Sequence, residues 1–223
     1  MTKNILFLGV FLIQSLLFAQ NNSAMPQSKP FTKNELTLIN EKNHLHKFRV
    51  LLTTSRDDFR ILRTKSIDLD PTDSSVKKLA DRMLATVLDE ETRGVGIAAP
   101  QIGINRNAVW IQRFDQKDQP FQFFINPKIT WYSSLLQKGR EGCLSIPDTI
   151  GNVVRSYAIR IEFYDLDGQF HDEVIEGFTA VIAQHEVDHL NGVLFTDRLQ
   201  EQEKTTYTKA GAEQNLLYKK ASE

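Results

Sequence analysis

The chain has 223 residues, 41% of them hydrophobic and 25% charged, enough for one compact domain with a core of its own. Its formal charge is −1 at pH 7, with 27 Lys and Arg against 28 Asp and Glu, so it lacks the clustered basic excess of a nucleic-acid surface. It contains no internal repeat and no long low-complexity tract, which excludes solenoids and disordered arrays.

The chain starts "MTKNILFLGVFLIQSLLFAQ", with Lys3 and then an almost unbroken apolar run from Ile5 to Ala19. That run matches a signal-peptide core and is short for a membrane span. It predicts export to the periplasm or cell envelope with a cut after Ala19, and no stable membrane span beyond this segment. Leu17 is larger than the residue usual two positions before such a cut. No Cys follows the run, which argues against a lipid anchor. Residues 20–49, with "NNSAMPQSKP", read as a polar, irregular linker. His44 and His46 stand two apart, a spacing for a strand edge or solvated sequence rather than one face of a helix.

The first strong helical pattern is "DSSVKKLADRMLATVLDEETRG", where Val76, Leu79, Ala80, Met83, Leu84, Val87 and Leu88 recur at helical spacing. Asp73 or Ser74 can cap its start, and Gly94 follows its end. Three strand-like runs come next, "NAVWIQRF", "PFQFFINP" and "KITWYSSLLQ", rich in aromatic and β-branched residues. Pro147 is expected to stop the extended run around Cys143. "VVRSYAIRIEFYDLDGQFHDEVIEG" reads as strands joined by a hairpin turn at Asp167-Gly168. The alternation in "AIRIEFYDL" gives one wet face and one buried face.

"GFTAVIAQHEVDHLNG" then switches to helical period, and the charged tail 201–223 is expected to be a frayed or amphipathic helix. The predicted fold is α+β, with antiparallel or mixed sheets around a central buried helix that carries an HExxH motif, in a domain spanning residues 50–200.

Two of the five histidines, His185 and His189, stand four residues apart with Glu186 between them. At about 100° per residue, His189 lies about 40° from His185 on the helix and Glu186 about 100° away, beyond His189. Phe178, Val181 and Ile182 share the histidine stripe, so both imidazoles are expected to point into the protein. Rings at this spacing can converge on one metal, and Glu186 sits alongside, free to act as a general base.

A catalytic site of this kind needs a third protein ligand. Downstream, no further His exists, only Glu201, Glu203, Glu213 and Glu223 in the polar tail. Upstream lies Cys143, the single cysteine, in "GREGCLSIPD". It cannot form a disulfide within the chain, and a thiolate beside a divalent ion explains a lone cysteine better than packing does. The inferred ligands are Cys143, His185 and His189, with a fourth position left for water. Asp188, about 60° from His185 on the side away from Glu186, is expected to pair with Arg155 and support the site from behind.

Three segments together, "GVGIAAPQIG" (94–103), "EGCLS" (141–145) and "QHEVDHL" (184–190), resemble in order and spacing the three signature motifs of the peptide deformylase family. "RILRTKS" near residues 60–66 resembles the segment ahead of the first motif, and the likeness covers roughly residues 57–199. It implies removal of the formyl group from N-formylmethionyl peptides or nascent chains, releasing formate. It implies Cys143, His185 and His189 as metal ligands, for Fe(II) in the first place with zinc, nickel or cobalt as substitutes. Glu186 would act as the base that later passes a proton to the leaving amine. The Gln101 side chain and the Leu144 amide would stabilise the oxyanion. Gly96 would let the substrate backbone pair closely, Val95, Val181 and Ile182 would receive the methionine chain, and Glu141 would hold the cysteine loop.

Two positions depart from that family's pattern. The chain has "AVIAQHE" where many relatives have a basic residue, and Ile150 stands near the place where some carry a peptide-holding Arg. The family works in the cytoplasm beside the ribosome, whereas the N-terminal segment predicts export. Two other functions fit parts of the pattern: an endopeptidase built on the same HExxH helix, and a non-catalytic metal or formyl-peptide binding protein of the cell envelope. Retention of Glu186 and Gln101 favours the hydrolase over the binding protein.

Overall fold

The computed structural model describes residues 28–211 and 217–221, so the expected export segment lies outside the described residues. Helices α1 (Lys33–Asn40), α2 (Arg56–Leu62) and α3 (Ser75–Leu88) come first. Strands β1 (Gly96–Ala98), β2 (Ala108–Gln112), β3 (Phe121–Tyr132), β4 (Leu136–Cys143), β5 (Ile146–Ser156), β6 (Ala158–Tyr164) and β7 (Phe170–Glu176) follow. Then come α4 (Gly177–Leu190), α5 (Phe195–Gln202), β8 (Tyr207–Lys209) and β9 (Leu217–Lys220). The strands form two sheets, ordered β1-β2-β3-β6-β7 and β5-β4-β9-β8, and every named pair is antiparallel. The chain is α+β with antiparallel sheets.

The first sheet is covered on both faces where the chain is most apolar. Ala108 and Trp110 of β2 pack into the core built with α3, whereas Val109 and Ile111 pack into the core built with α4. Trp110 also donates its indole N–H to the Ala80 carbonyl, so its one polar atom is satisfied while the ring is buried. Farther along, β6 keeps Ile159, Ile161 and Phe163 inside and turns Arg160 to solvent, the one-sided pattern legible in its sequence. The turn into β7 places Gly168 at φ 73, a conformation that glycine adopts without steric cost.

Several expectations are corrected. Residues 33–40 are not irregular linker: they form α1, closed by a capping box in which Thr32 and Glu35 satisfy each other's backbone N–H groups. Its Ile39 is fully buried, and Glu35 pairs with the buried Arg106. Helix α3 ends at Leu88, short of Gly94, with a 3-10 turn at Glu90–Thr92 between them. "PFQFFINP" and "KITWY" are one strand, because Asn126, at φ 52, and Pro127 sit in a register shift where the missing proline N–H costs no ladder bond. Among the described residues the tail forms no helix beyond α5. Strands β8 and β9 pair with each other, and β9 adds to β4 at Leu136 and Gln137.

Candidate metal centre and substrate cleft

Strand β4 ends on Cys143, and the chain turns at once into β5. The register jumps here: Gly142 faces Ile150 but Cys143 faces Ile146, so residues 147–149 bulge outward, with Asp148 at φ 54. Pro147 therefore does not stop the run. It is the second residue of β5, inside the bulge, where its missing N–H is tolerated. The bulge aims Cys143 at α4, which brings His185 and His189 one turn apart with ring centroids 5.0 Å from each other.

Cys143 Sγ lies 3.3 Å from His189 Nε2, and one donor atom from each of Cys143, His185 and His189 falls within 4.8 Å of the others. Among the described residues no other group of His, Cys, Asp and Glu has this arrangement, and His44 and His46 take no part. The helix does not present a single apolar stripe. It is buried nearly all round, including Thr179, Ala180, Ala183 and Gln184, while Phe178 is 49% exposed at the cleft. A helix buried on all sides needs no amphipathic period, so the histidine face is set by where the cleft opens.

The charges around the donors are fixed by carboxylates. Glu141 Oε2 accepts from His185 Nδ1 at 2.9 Å, and both its oxygens accept from Arg155 on the facing strand of the hairpin that carries the cysteine turn. Burial works to raise the Glu141 carboxyl, but His185 and Arg155 outweigh it and hold it at about 2. With Nδ1 engaged, His185 has Nε2 left to face Cys143, the usual carboxylate–histidine arrangement behind a metal ligand. Burial likewise works to raise the Cys143 thiol, yet His189 and His185 hold it well below its ordinary value, toward the thiolate. Arg155 also donates to Asp188, which accepts from Arg198 as well. Arg198 and its place in this network were not anticipated, since nothing in its local sequence marks its direction.

Gln101 sits in a 3-10 turn, Ala99–Ile102, and is buried. Its Oε1 accepts from the Ala98 N–H at 2.9 Å, which turns the amide NH₂ toward Cys143 Sγ at 3.6 Å and Ser145 Oγ at 3.3 Å. Ser145, fully buried, is a neighbour that the sequence reading passed over although it closes the same motif. Leu144 lies at the turn after β4. Together with Val95, Gly96, Val181 and Ile182 it lines a cleft of about 530 Å³ that also reaches Gln101, Cys143, His185 and Glu186.

Gly96 does more than leave room for a ligand. A Cβ there would stand 2.5 Å from Glu186 Oε1 and 2.9 Å from Ile182 Cγ2, so its missing side chain lets β1 approach α4 at Glu186. Gly96→Ala is expected to displace the Glu186 carboxylate. Activity should fall at least about tenfold with metal content changed little, because a misplacement of about 1 Å costs up to 10²-fold, and the melting temperature should drop by a few degrees as the buried Ile182 gives way. Wild-type turnover in this variant would show that the carboxylate position is not critical.

A thiol biased toward thiolate and two imidazoles, with no fourth protein donor among the described residues, suit one divalent transition-metal ion. Glu186 fits the same picture. Among the described residues its buried Oε2 has no hydrogen-bond partner, and the side chain lines the cleft, where a water or substrate atom would satisfy it. Burial pushes this carboxyl up to about 7, against the pull of His185 and His189.

An antiparallel α+β frame with a Cys-His-His group in such a cleft marks the class of small metal-dependent hydrolases. Residues 51–205 match the family model for polypeptide deformylase. A peptide deformylase of Caulobacter sp. (strain K31) is 37% identical over 152 residues, covering 68% of this chain and 87% of the relative. One of Synechocystis sp. is 39% identical over 141 residues, covering 63% of this chain and 74% of the relative. The Met-Ala-Ser-bound crystal structure of a class I type b peptide deformylase from Acinetobacter baumannii superposes with a TM-score of 0.62 at 35% identity, covering 68% of this chain and 98% of that one. The chain belongs to the peptide deformylase family.

Proposed function

We propose that this protein removes the N-formyl group from N-formylmethionyl peptides by metal-dependent hydrolysis, releasing formate and a free amine. The observation that carries this reading is the Glu186 carboxylate, buried and unpartnered on one oxygen beside the Cys143, His185 and His189 donors. Those three residues would hold the metal, taken here as Fe(II), with zinc, nickel or cobalt able to replace it. The mixed imidazole and thiolate set supports a metal from that group. When bound, the ion acidifies the attacking water and polarises the formyl carbonyl.

The protein's own residues do the rest. Glu186 Oε2 accepts a proton from the attacking water as the new C–O bond forms. It returns that proton to the amine nitrogen as the C–N bond breaks. The Gln101 NH₂, pinned by its Oε1 bond to Ala98, and the Leu144 amide donate to the oxygen on which negative charge builds. Glu141 keeps the His185 ring in one orientation, backed by Arg155 and Asp188. Val95, Val181 and Ile182 offer the apolar wall for the methionine side chain.

The apolar run from Ile5 to Ala19 supports export, which would direct the enzyme to formyl peptides outside the cytoplasm. Among the described residues no helix is long and apolar enough to cross a membrane. One preparation tests both points. Protein recovered from cells, loaded anaerobically with Fe(II) or Ni(II), should release formate from a formyl-Met tripeptide, stop on chelation, and leave unblocked internal peptide bonds intact. A folded, metal-loaded protein that releases no formate would overturn the activity. Its N-terminal residue, read by mass spectrometry, should lie near Gln20; an intact Met1 in the soluble cytoplasm would overturn export.

A further inference from the structure

The cleft carries two charged groups that the proposed chemistry does not use. Arg93 lies just ahead of β1 and Arg140 lies on β4, and both line the cleft. Neither side chain has a hydrogen bond or ion pair with another described residue. Elsewhere, arginines are commonly tied down, as Arg63 is by Asp197 and Arg160 by Asp172. The other charged groups lining the cleft are Glu141, Asp148, His185 and Glu186. Glu141 is already matched by Arg155 and His185, and Glu186 lies at the reacting centre. Asp148 alone offsets the two free guanidinium groups.

The register fixes where one of them stands. On β4, Arg140 and Gly142 share a face, and Gly142 pairs with Ile150 on β5. Ile150, 56% exposed, contributes an apolar side chain there, so the cation on this face is Arg140, two residues farther from the donors. Arg140 precedes Cys143 by three residues, roughly 10 Å along the strand at about 3.4 Å per residue. An extended peptide whose formyl group sits at Cys143 spans that length with its first three residues. Gly94 approaches Leu144 of the cysteine turn, with its Cβ position 3.5 Å from Leu144 Cδ1, and the adjoining Arg93 lines the same cleft.

We infer that Arg93 and Arg140 select substrates carrying a carboxylate at the second or third residue after the formyl group. That carboxylate is either an acidic side chain or the carboxy terminus of a short formyl peptide. The inference rests on the deformylase reading and deepens it by naming the substrate class. Two guanidinium groups lining the cleft, unpaired among the described residues, attract a carboxylate and can hold it by charge-assisted hydrogen bonds, acting on binding rather than on the chemical step.

The test compares three substrates on the metal-loaded protein: formyl-Met-Ala-Ser with a free carboxylate, its C-terminal amide, and formyl-Met-Ala-Asp amide. At least one acidic substrate should show a KM about three- to tenfold below that of the neutral amide, with similar kcat, and the gap should narrow in about 0.5 M salt. Preference for the free acid alone identifies the carboxy terminus as the group recognised, and preference for the Asp amide alone identifies the side chain. In the R93Q/R140Q double variant the ratio of acidic to neutral kcat/KM should fall close to one, and lysine at both positions should restore part of it. Equal KM for all three substrates on the wild type, or a preference that survives in R93Q/R140Q, overturns the inference. Absence of formate release from all three substrates overturns the deformylase reading instead.

Discussion

Glu186→Ala should lower formate release by about 10²–10⁴-fold while the protein stays folded and keeps its metal. The metal is retained because the three donors are Cys143, His185 and His189, and none of them depends on Glu186 for its orientation. The loss is large because the water has no other base. Glu141, the other buried carboxylate lining the cleft, is committed to His185 and Arg155. Burial, helped by the charges of Cys143 and Glu141 and opposed by the two histidines, pushes Glu186 up to about 7, and a divalent ion held by the three donors would lower it again, leaving an ionised base at neutral pH. Glu186→Gln keeps the shape of the side chain, and with it the close approach to Gly96, yet should lose activity to a similar extent. Formate kinetics and metal analysis on the same samples decide the matter. Activity within tenfold of wild type would remove Glu186 from the proton path, and loss of metal would make it part of the metal-binding structure.

The sequence carried the local part of this architecture well. Period-3.6 apolar residues mark α3, period-2 residues mark β6, and the Asp-Gly pair marks the turn into β7. The spacing of His185 and His189 puts both rings on one side of α4, and the lone cysteine is the residue that the fold brings to them. What was not legible depends on contacts distant in sequence. Nothing near Glu141 says that its carboxylate meets His185 and Arg155. Strand β9 exists as part of a sheet because β4 offers Leu136 and Gln137 as partners, and composition alone made the same residues look like a helix. Pro127 looked like a break, but a bulge at Asn126 absorbs it. Helix α1 is a different case: the local Thr32-x-x-Glu35 signature was present, and the polar composition around it hid it.

The second large effect concerns stability. Arg155→Ala should destabilise the protein by about 3–5 kcal/mol, lowering the melting temperature by roughly 10 °C. The Arg155 side chain is 4% exposed and stands between Glu141 and Asp188, whose side chains are 6% and 10% exposed. Removing the guanidinium leaves Glu141 with only His185 and Asp188 with only Arg198, two buried carboxylates short of a partner. Asp188 retains more compensation than Glu141, because Arg198 reaches it from a half-exposed position. The cost therefore falls mainly on the carboxylate that orients His185. Replacing Glu141, Arg155 and Asp188 together with Leu, Met and Leu removes the unpaired charges and should recover much of the lost stability. The same triple variant should bind metal about 10–100-fold more weakly, because His185 Nδ1 then has no carboxylate to hold its ring. Thermal melts and metal titrations on the two variants separate these effects. If Arg155→Ala melts with the wild type, the buried network is not a stabilising element. If the triple variant keeps wild-type metal affinity, Glu141 has no part in presenting His185.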